Sequence, residues 1–223
     1  MFIEEGYMQK LPVEILTDNL RLEALGLYDT ADLDLYVKEN TDSLDEMTFT
    51  RSLSDALFED KTLAYYALRS YYNFRQKKSA EYLIVENKAQ KIIGYFEMRI
   101  RKDIGETYLW IHPDYRGHHY TKEVINGVEK AFFESGIKEI ERSCSPHNPY
   151  FDKIAAYMPL AGYKKVIKNK LAAYPMWHKT REEWLKEQNA QHRKNTAEER
   201  IKCIQKNVGS IKCWQRNKQG QHS

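Results

Sequence analysis

"ETYLWIHPDYRGHHYTKEVINGVEKAFFESG", residues 106–136, changes periodicity partway along. "ETYLWIHP" has the apolar and aromatic content of a strand, and Pro113 and Gly117 punctuate a short basic turn. Beyond it Val124, Val128, Ala131 and Phe132 recur at helical spacing, which predicts one buried face with Lys122, Glu129 and Lys130 outside. A helix that begins directly after a strand offers unpaired N–H groups and the positive end of its dipole, a ready site for phosphate oxygens. Arg116 adds a bidentate charge and Gly117 permits close backbone approach. Taken alone, the segment is explained more simply as a plain crossover connection.

The neighbouring sequence places that segment in a sheet. Upstream, "EYLIVEN" and "KIIGYFEMRIR" flank the short polar connection "KAQ", and "KDIG" then turns the chain into "ETYLWIHP", so three consecutive antiparallel strands are expected. Downstream, "KEIERSCS" reads as a strand, "NPYFDKIAAYMPLAG" as a short helix ending at Gly162, and "YKKVIKNKLAAYPMW" as a return strand or hairpin. Strand, helix, strand around 114–136 is a crossover, so 106–111 and 138–144 should lie parallel. Near the start "NLRLEAL" (19–25) reads as a first strand, followed by helices over 29–40, 43–59 and 62–74. The Tyr-rich stretch 65–74 is expected to pack on the sheet, with an acceptor pocket as the less favoured alternative. The predicted fold class is α/β (α+β), a mixed, mostly antiparallel sheet flanked by helices with one parallel pair.

Composition bounds the rest. A chain of 223 residues, 42% hydrophobic, holds one substantial core, so the expected organisation is a domain over 1–187 and a basic polar tail over 188–223. The tail has eight Lys or Arg against two Asp or Glu, which gives it +6 and leaves −3 for the remainder of the total +3. It is expected to be disordered or an exposed helix, and it contains an echo, "IKCIQKN" and "IKCWQRN". No run of about 18 apolar residues exists and the start, "MFIEEGYMQKLP", is acidic, so the expectation is a cytoplasmic protein without a membrane span. The widely separated Cys144, Cys203 and Cys213 fit free thiols in a reducing compartment, and no metal site is assigned.

Three separated stretches, in order, carry a family resemblance. "TDNLRLEAL" (17–25), "YLWIHPDYRGHHYTKEVI" (108–125) and "HKTREEWLKE" (178–187) resemble the GNAT superfamily of acetyl-CoA-dependent N-acetyltransferases, and within it the RimJ/RimL-like group that acetylates ribosomal-protein N-termini. The resemblance spans 15–187 and implies the GNAT fold. It places the family's pyrophosphate loop, R-x-x-G-x-G/A, on Arg116, Gly117, His118, His119, Tyr120 and Thr121, with main-chain N–H groups and no metal holding CoA. It matches Trp110 and Ile111 to the backbone positions that pair with the pantetheine arm, and Asn148 to an Asn near the start of the next helix.

Two departures from the family pattern stand out. His119 replaces a Gly of the loop, a position where His tolerates positive φ better than most residues. The 148–161 helix sets Asn148 about three residues farther from Gly162 than expected, and Met158 rather than Tyr occupies the position four before Gly162, with Tyr157 adjacent and Pro159 inside. The implied chemistry is attack of a neutral amine on the thioester within a ternary complex, which needs a base and a proton donor. Tyr157 is the candidate donor and Glu106 the candidate base acting through water. The implied acceptor is a primary amine, either a protein N-terminus or a small molecule. A second reading is a degenerate GNAT-fold protein that binds CoA, or docks RNA or a ribosome through its basic tail. Monomer and homodimer are both compatible with the sequence.

Overall fold

The computed structural model describes residues 10–27, 63–144, 146–166, 175–196 and 198–199. The helices expected over 29–40 and 43–59, the hairpin tip over 167–174 and the "IKC" echo lie outside them. Two compact units divide the chain, Met1–Arg181 and Glu182–Ser223.

In the first unit, β1 (Glu14–Leu16) and β2 (Leu20–Ala24) form a hairpin, and a 3-10 turn follows at Leu25–Leu27. Helix α1 is Leu63–Arg75, and β3 (Ser79–Glu86), β4 (Lys91–Arg101) and β5 (Ile104–Ile111) are the expected antiparallel run. Next come α2 (Tyr120–Glu134), β6 (Glu139–Ser143), α3 (Phe151–Leu160), β7 (Lys164–Val166) and β8 (Met176–Thr180). The sheet order is β1-β2-β3-β4-β5-β6-β8-β7, antiparallel except for the parallel pair β5 and β6. The predicted mixed sheet with one parallel pair is therefore the observed one. Strand β1 went unread in the sequence, because three residues are too few to display an alternation.

The core follows from cross-strand pairing. Tyr82 stands opposite Phe96, and Phe132 of α2 lies over both at ring distances of 6.1 and 6.3 Å. All three rings are buried, and aromatic side chains contribute the largest apolar areas a core contains. Phe96 pairs with Leu109 and Met98 with Thr107, so α2 covers the sheet face that carries the odd-numbered residues of β5.

One packing expectation holds and one is corrected. The Tyr-rich helix α1 packs on the sheet, with Phe74 meeting the Tyr82 ring at 6.5 Å, although Tyr65 and Tyr72 are 52% and 60% exposed. Its contact runs through the small Ala67 and Ser70, because its backbone passes so close to Gly26 that a Cβ there would stand 2.6 Å from the backbone of Tyr71. Glu129, expected on the outer face of α2, is buried. It lies on the buried stripe beside Phe132 and Phe133, and a buried lysine on β8 offsets part of the penalty that periodicity alone assigns to it.

In the second unit, the described residues from 182 to 196 are helical, and from Leu185 onward nearly all are exposed. Among the described residues no helix is long and apolar enough to cross a membrane.

Candidate functional site

The parallel pair is short. Its register runs from Ile104↔Glu139 to Thr107↔Arg142 and stops, while β5 remains paired with β4 as far as Ile111. Beyond Thr107 the two strands part, and the last four residues of β5 border a gap. Antiparallel ladders alternate, and the His112 N–H donates to Ile93 O at 2.8 Å, so even-numbered residues of β5 bond to β4 and odd-numbered ones turn outward. Leu109 and Ile111 therefore present main-chain groups to the gap. Trp110, matched to the pantetheine arm by resemblance, directs its own N–H and C=O into the ladder opposite Tyr95. Leu109 was missed because sequence similarity carries no hydrogen-bond parity.

At the end of β5 the chain enters the turn that dominates the site. His112 caps a 3-10 turn (Pro113–Tyr115), its Nδ1 accepting from the Asp114 N–H at 3.3 Å. Pro113 at the first turn position supplies a pre-set φ. Gly117 follows at φ +91°, and His119, the N-cap of α2, sits in the left-handed region at φ 64°, ψ 8°. Histidine is among the residues that adopt this region readily, so the backbone path a glycine usually takes is kept. Gly117 has no atom within 4 Å of an added Cβ, so conformation rather than space requires glycine there.

The result is a concentration of unpaired donors. Among the described residues, the N–H groups of Gly117, His119, Tyr120 and Thr121 meet no backbone acceptor. Lys122 and Glu123 already donate to His119 O, at 3.0 and 3.2 Å, as the helix begins. The side chains stay clear: His118 stacks on Tyr120 at 5.7 Å, and His119 forms no capping bond. Arg116 is engaged by its neighbours. Its N–H donates to Pro113 O, its Nε donates to Ile111 O at 2.9 Å, and its guanidinium lies 5.0 Å over the Tyr150 ring. It braces the turn against the end of β5 and the start of α3.

Another brace joins two of the sequence stretches singled out above. Glu123 in the first turn of α2 accepts from Thr17 Oγ1 at 2.5 Å, the Asn19 N–H at 2.6 Å and Asn19 Nδ2 at 3.0 Å. Burial pushes its carboxyl upward, but these bonds outweigh burial and hold it below the usual value. The Thr-Asp-Asn before β2 thus fixes the helix whose N-terminus forms the anion site.

The remaining candidates fall on two sides of the sheet. Glu106 shares one face with Tyr95, Glu97, Arg99 and Tyr108. Burial, followed by the hydrogen bond and charge of Glu106, pushes Tyr108 up to about 12, so its phenol is protonated at neutral pH. Tyr157 lies on α3, half-buried; burial first, then the charge of Glu129, raises it, and Arg142 opposes them. Arg142 shares the Thr107 face, so the donor and base candidates stand on opposite faces, with the gap between β5 and β6 running between them. Asn148 is used locally, its Oδ1 accepting from the Tyr150 N–H at 2.8 Å as α3 begins.

Below the gap, under α2 and α3, is a buried polar cluster that sequence periodicity did not show. Lys179 Nζ donates to Glu129 Oε2 at 3.0 Å and to Ala161 O at 2.9 Å, and Arg142 Nε donates to Tyr163 Oη at 2.8 Å. Both cations lie over the Tyr163 ring, at 5.2 Å for Arg142 and 5.6 Å for Lys179.

Comparison with known proteins agrees with this geometry. The family model described as Acetyltransferase (GNAT) family matches residues 45–153. No curated protein sequence matches the chain. Among solved structures, the ribosomal-protein-S5-alanine acetyltransferase from Vibrio fischeri aligns over 78% of this chain and 99% of its own, at 16% identity and a TM-score of 0.58. The microcin C7 self-immunity acetyltransferase, solved with acetyl-CoA and AMP, aligns over 77% and 98% at 17% identity, with a TM-score of 0.56. The spermidine N-acetyltransferase from Vibrio cholerae, a dodecamer, aligns over 75% and 96% at 15% identity, with a TM-score of 0.54. At these identities the likeness is one of fold.

Proposed function

We propose that the chain, matched over residues 45–153 by the acetyltransferase (GNAT) family model, transfers an acetyl group from acetyl-CoA to a primary amine, a protein N-terminus or a small molecule. The observation that carries this reading is the row of open N–H groups at Gly117, His119, Tyr120 and Thr121, set beside the gap where β5 leaves β6. These open N–H groups at the start of a 15-residue helix suit a pyrophosphate, and the outward-facing main chain of Leu109 and Ile111 suits an amide-containing arm laid along the strand. Acetyl-CoA, when bound, supplies the activated thioester.

The chain's own groups then divide the work. Glu106 takes the ammonium proton of the acceptor through water, and Tyr157, kept protonated by burial, gives a proton on the opposite face. Positioning between the two faces supplies the rest of the rate, since well-oriented reactants gain several orders of magnitude without further chemistry. The left-handed conformation of His119 favours this reading over a decayed loop, because the backbone follows the course a glycine would take. Isothermal titration with acetyl-CoA, followed by transfer assays against peptide N-termini and small amines, tests it. Absence of heat at high micromolar acetyl-CoA would refute cofactor binding, whereas binding without transfer to any amine would leave a CoA-binding protein.

A further inference from the structure

The cluster beneath α2 and α3 contains one more cation than its carboxylate matches. Lys179 is matched by Glu129. Arg142 is not: among the described residues no carboxylate lies within ion-pair distance of it, and its Nη2 is buried without a hydrogen-bond partner. It is only 7% exposed. Removing a guanidinium from water is costly, and a hydrogen bond to a neutral phenol offsets only part of that. A methionine or leucine would fill the same space on this strand at less cost, so packing does not account for an arginine.

Its position in the fold indicates what the charge does. Arg142 occupies the last rung of the parallel ladder, opposite Thr107, where β5 and β6 separate. Its one side-chain hydrogen bond goes to Tyr163, whose N–H donates to Met158 O at 3.0 Å, so it holds the end of α3 directly after Tyr157. Lys179 secures the same turn through Ala161 O. The unmatched positive charge therefore lies between the fork of the sheet and the helix that carries the candidate proton donor.

We infer that Arg142 is a positioning residue for acetyl transfer, fixing α3 through Tyr163 and stabilising the negative charge left on Tyr157 when its proton goes to the departing thiolate. The inference rests on the reading of the protein as an acetyltransferase. In the step itself, the amine nitrogen forms the C–N bond to the acetyl carbon and its extra proton passes to water at Glu106. The C–S bond breaks with its electron pair on sulfur, the Tyr157 O–H bond breaks, and the proton goes to sulfur. Solvent then reprotonates the phenolate. The favourable effect of Arg142 on that phenolate agrees in direction with its opposition to the burial of Tyr157.

The test is a double-mutant cycle with Arg142→Gln and Tyr157→Phe, read as kcat and as KM for acetyl-CoA, with Arg142→Lys as the conservative variant and thermal midpoints for every protein. Gln retains a donor for Tyr163 and Lys retains the charge, so at least one of them is expected to fold. Arg142→Gln should lower kcat about tenfold with KM changed less than about twofold, Lys should recover most of that loss, and in the Tyr157→Phe background Arg142→Gln should change kcat less than about twofold. An equal loss in both backgrounds, an unchanged kcat, or a loss explained by the unfolded fraction at assay temperature would overturn the inference while leaving the acetyltransferase reading intact. Wild-type protein without transfer would refute that reading itself, and this inference with it.

Discussion

The anion turn at 116–121 and the buried cluster around Arg142 and Lys179 lie at the two ends of one device, helix α2 with the fork of the sheet, and they are built from opposite materials. The turn presents main-chain N–H groups, while its side chains stack on one another or brace its outside. The cluster consists of side chains from α2, β6, β8 and Tyr163, the residue before β7, each buried and each dependent on a partner. A site made of backbone tolerates changes of side chain as long as φ and ψ survive. A site made of buried side chains tolerates almost none, because any deletion leaves a polar group without water or partner.

The sharpest break between the two lies in stability. Lys179→Met leaves Glu129 buried without its cation and is expected to cost about 3–5 kcal/mol in urea denaturation. Pairing it with Glu129→Leu should recover most of that loss, since replacing a whole buried pair with apolar groups is often neutral. Recovery would show that the pair contributes specificity of packing rather than net stability.

In the turn, the largest effect is expected at Gly117. A Val there meets no steric obstacle but must adopt φ +91°, a strain of about 1–3 kcal/mol. The turn should relax instead and lose the N–H array. Titration with acetyl-CoA should show Kd weakened at least about tenfold, with thermal stability changed little, the reverse of the Lys179 pattern.

Glu123 lies between the two regions. Glu123→Gln keeps the shape but removes the charge that Thr17 and Asn19 solvate, at about 1.5–3 kcal/mol for hydrogen bonds to a charged group. The folded carboxyl is depressed, so its contribution is fully present above the unfolded value near about 4.3 and is lost as pH falls through that value towards the folded one. Denaturation of wild type and variant at pH 7 and at pH 3 should show the gap between them narrowing at the lower pH.

The smallest effect is expected at His119. His119→Gly relieves a left-handed His but loosens the unfolded chain, two terms of about 1 kcal/mol that oppose each other. Stability should stay within about 0.5 kcal/mol of wild type and acetyl-CoA affinity within about twofold. A large gain in affinity would show that the imidazole obstructs the turn.

These contrasts also explain which parts of the molecule were legible in the sequence. The strands from Ser79 to Ile111, the turn and α2 were readable because local pattern encodes them: apolar, β-branched and aromatic runs bounded by short polar turns, Pro113 and Gly117 at the break, apolar positions at helical spacing. Which side chains of α1 make its contact was not legible, because how closely α1 approaches Gly26 depends on packing between elements rather than on pattern. Glu129 was misplaced for the same reason, its partner being 50 residues away on β8.

By itself the sequence determined the order of elements from Ser79 to Leu160, the parallel crossover and the family resemblance, because each rests on short-range periodicity and turn chemistry. Only the tertiary structure decided that Leu109 rather than Trp110 offers its main chain to the gap, that Arg116 turns back to brace Ile111, and that Arg142 is buried at the fork. Hydrogen-bond parity, guanidinium direction and the desolvation of a charge are set by which strands and helices meet, and no local window of sequence contains that information.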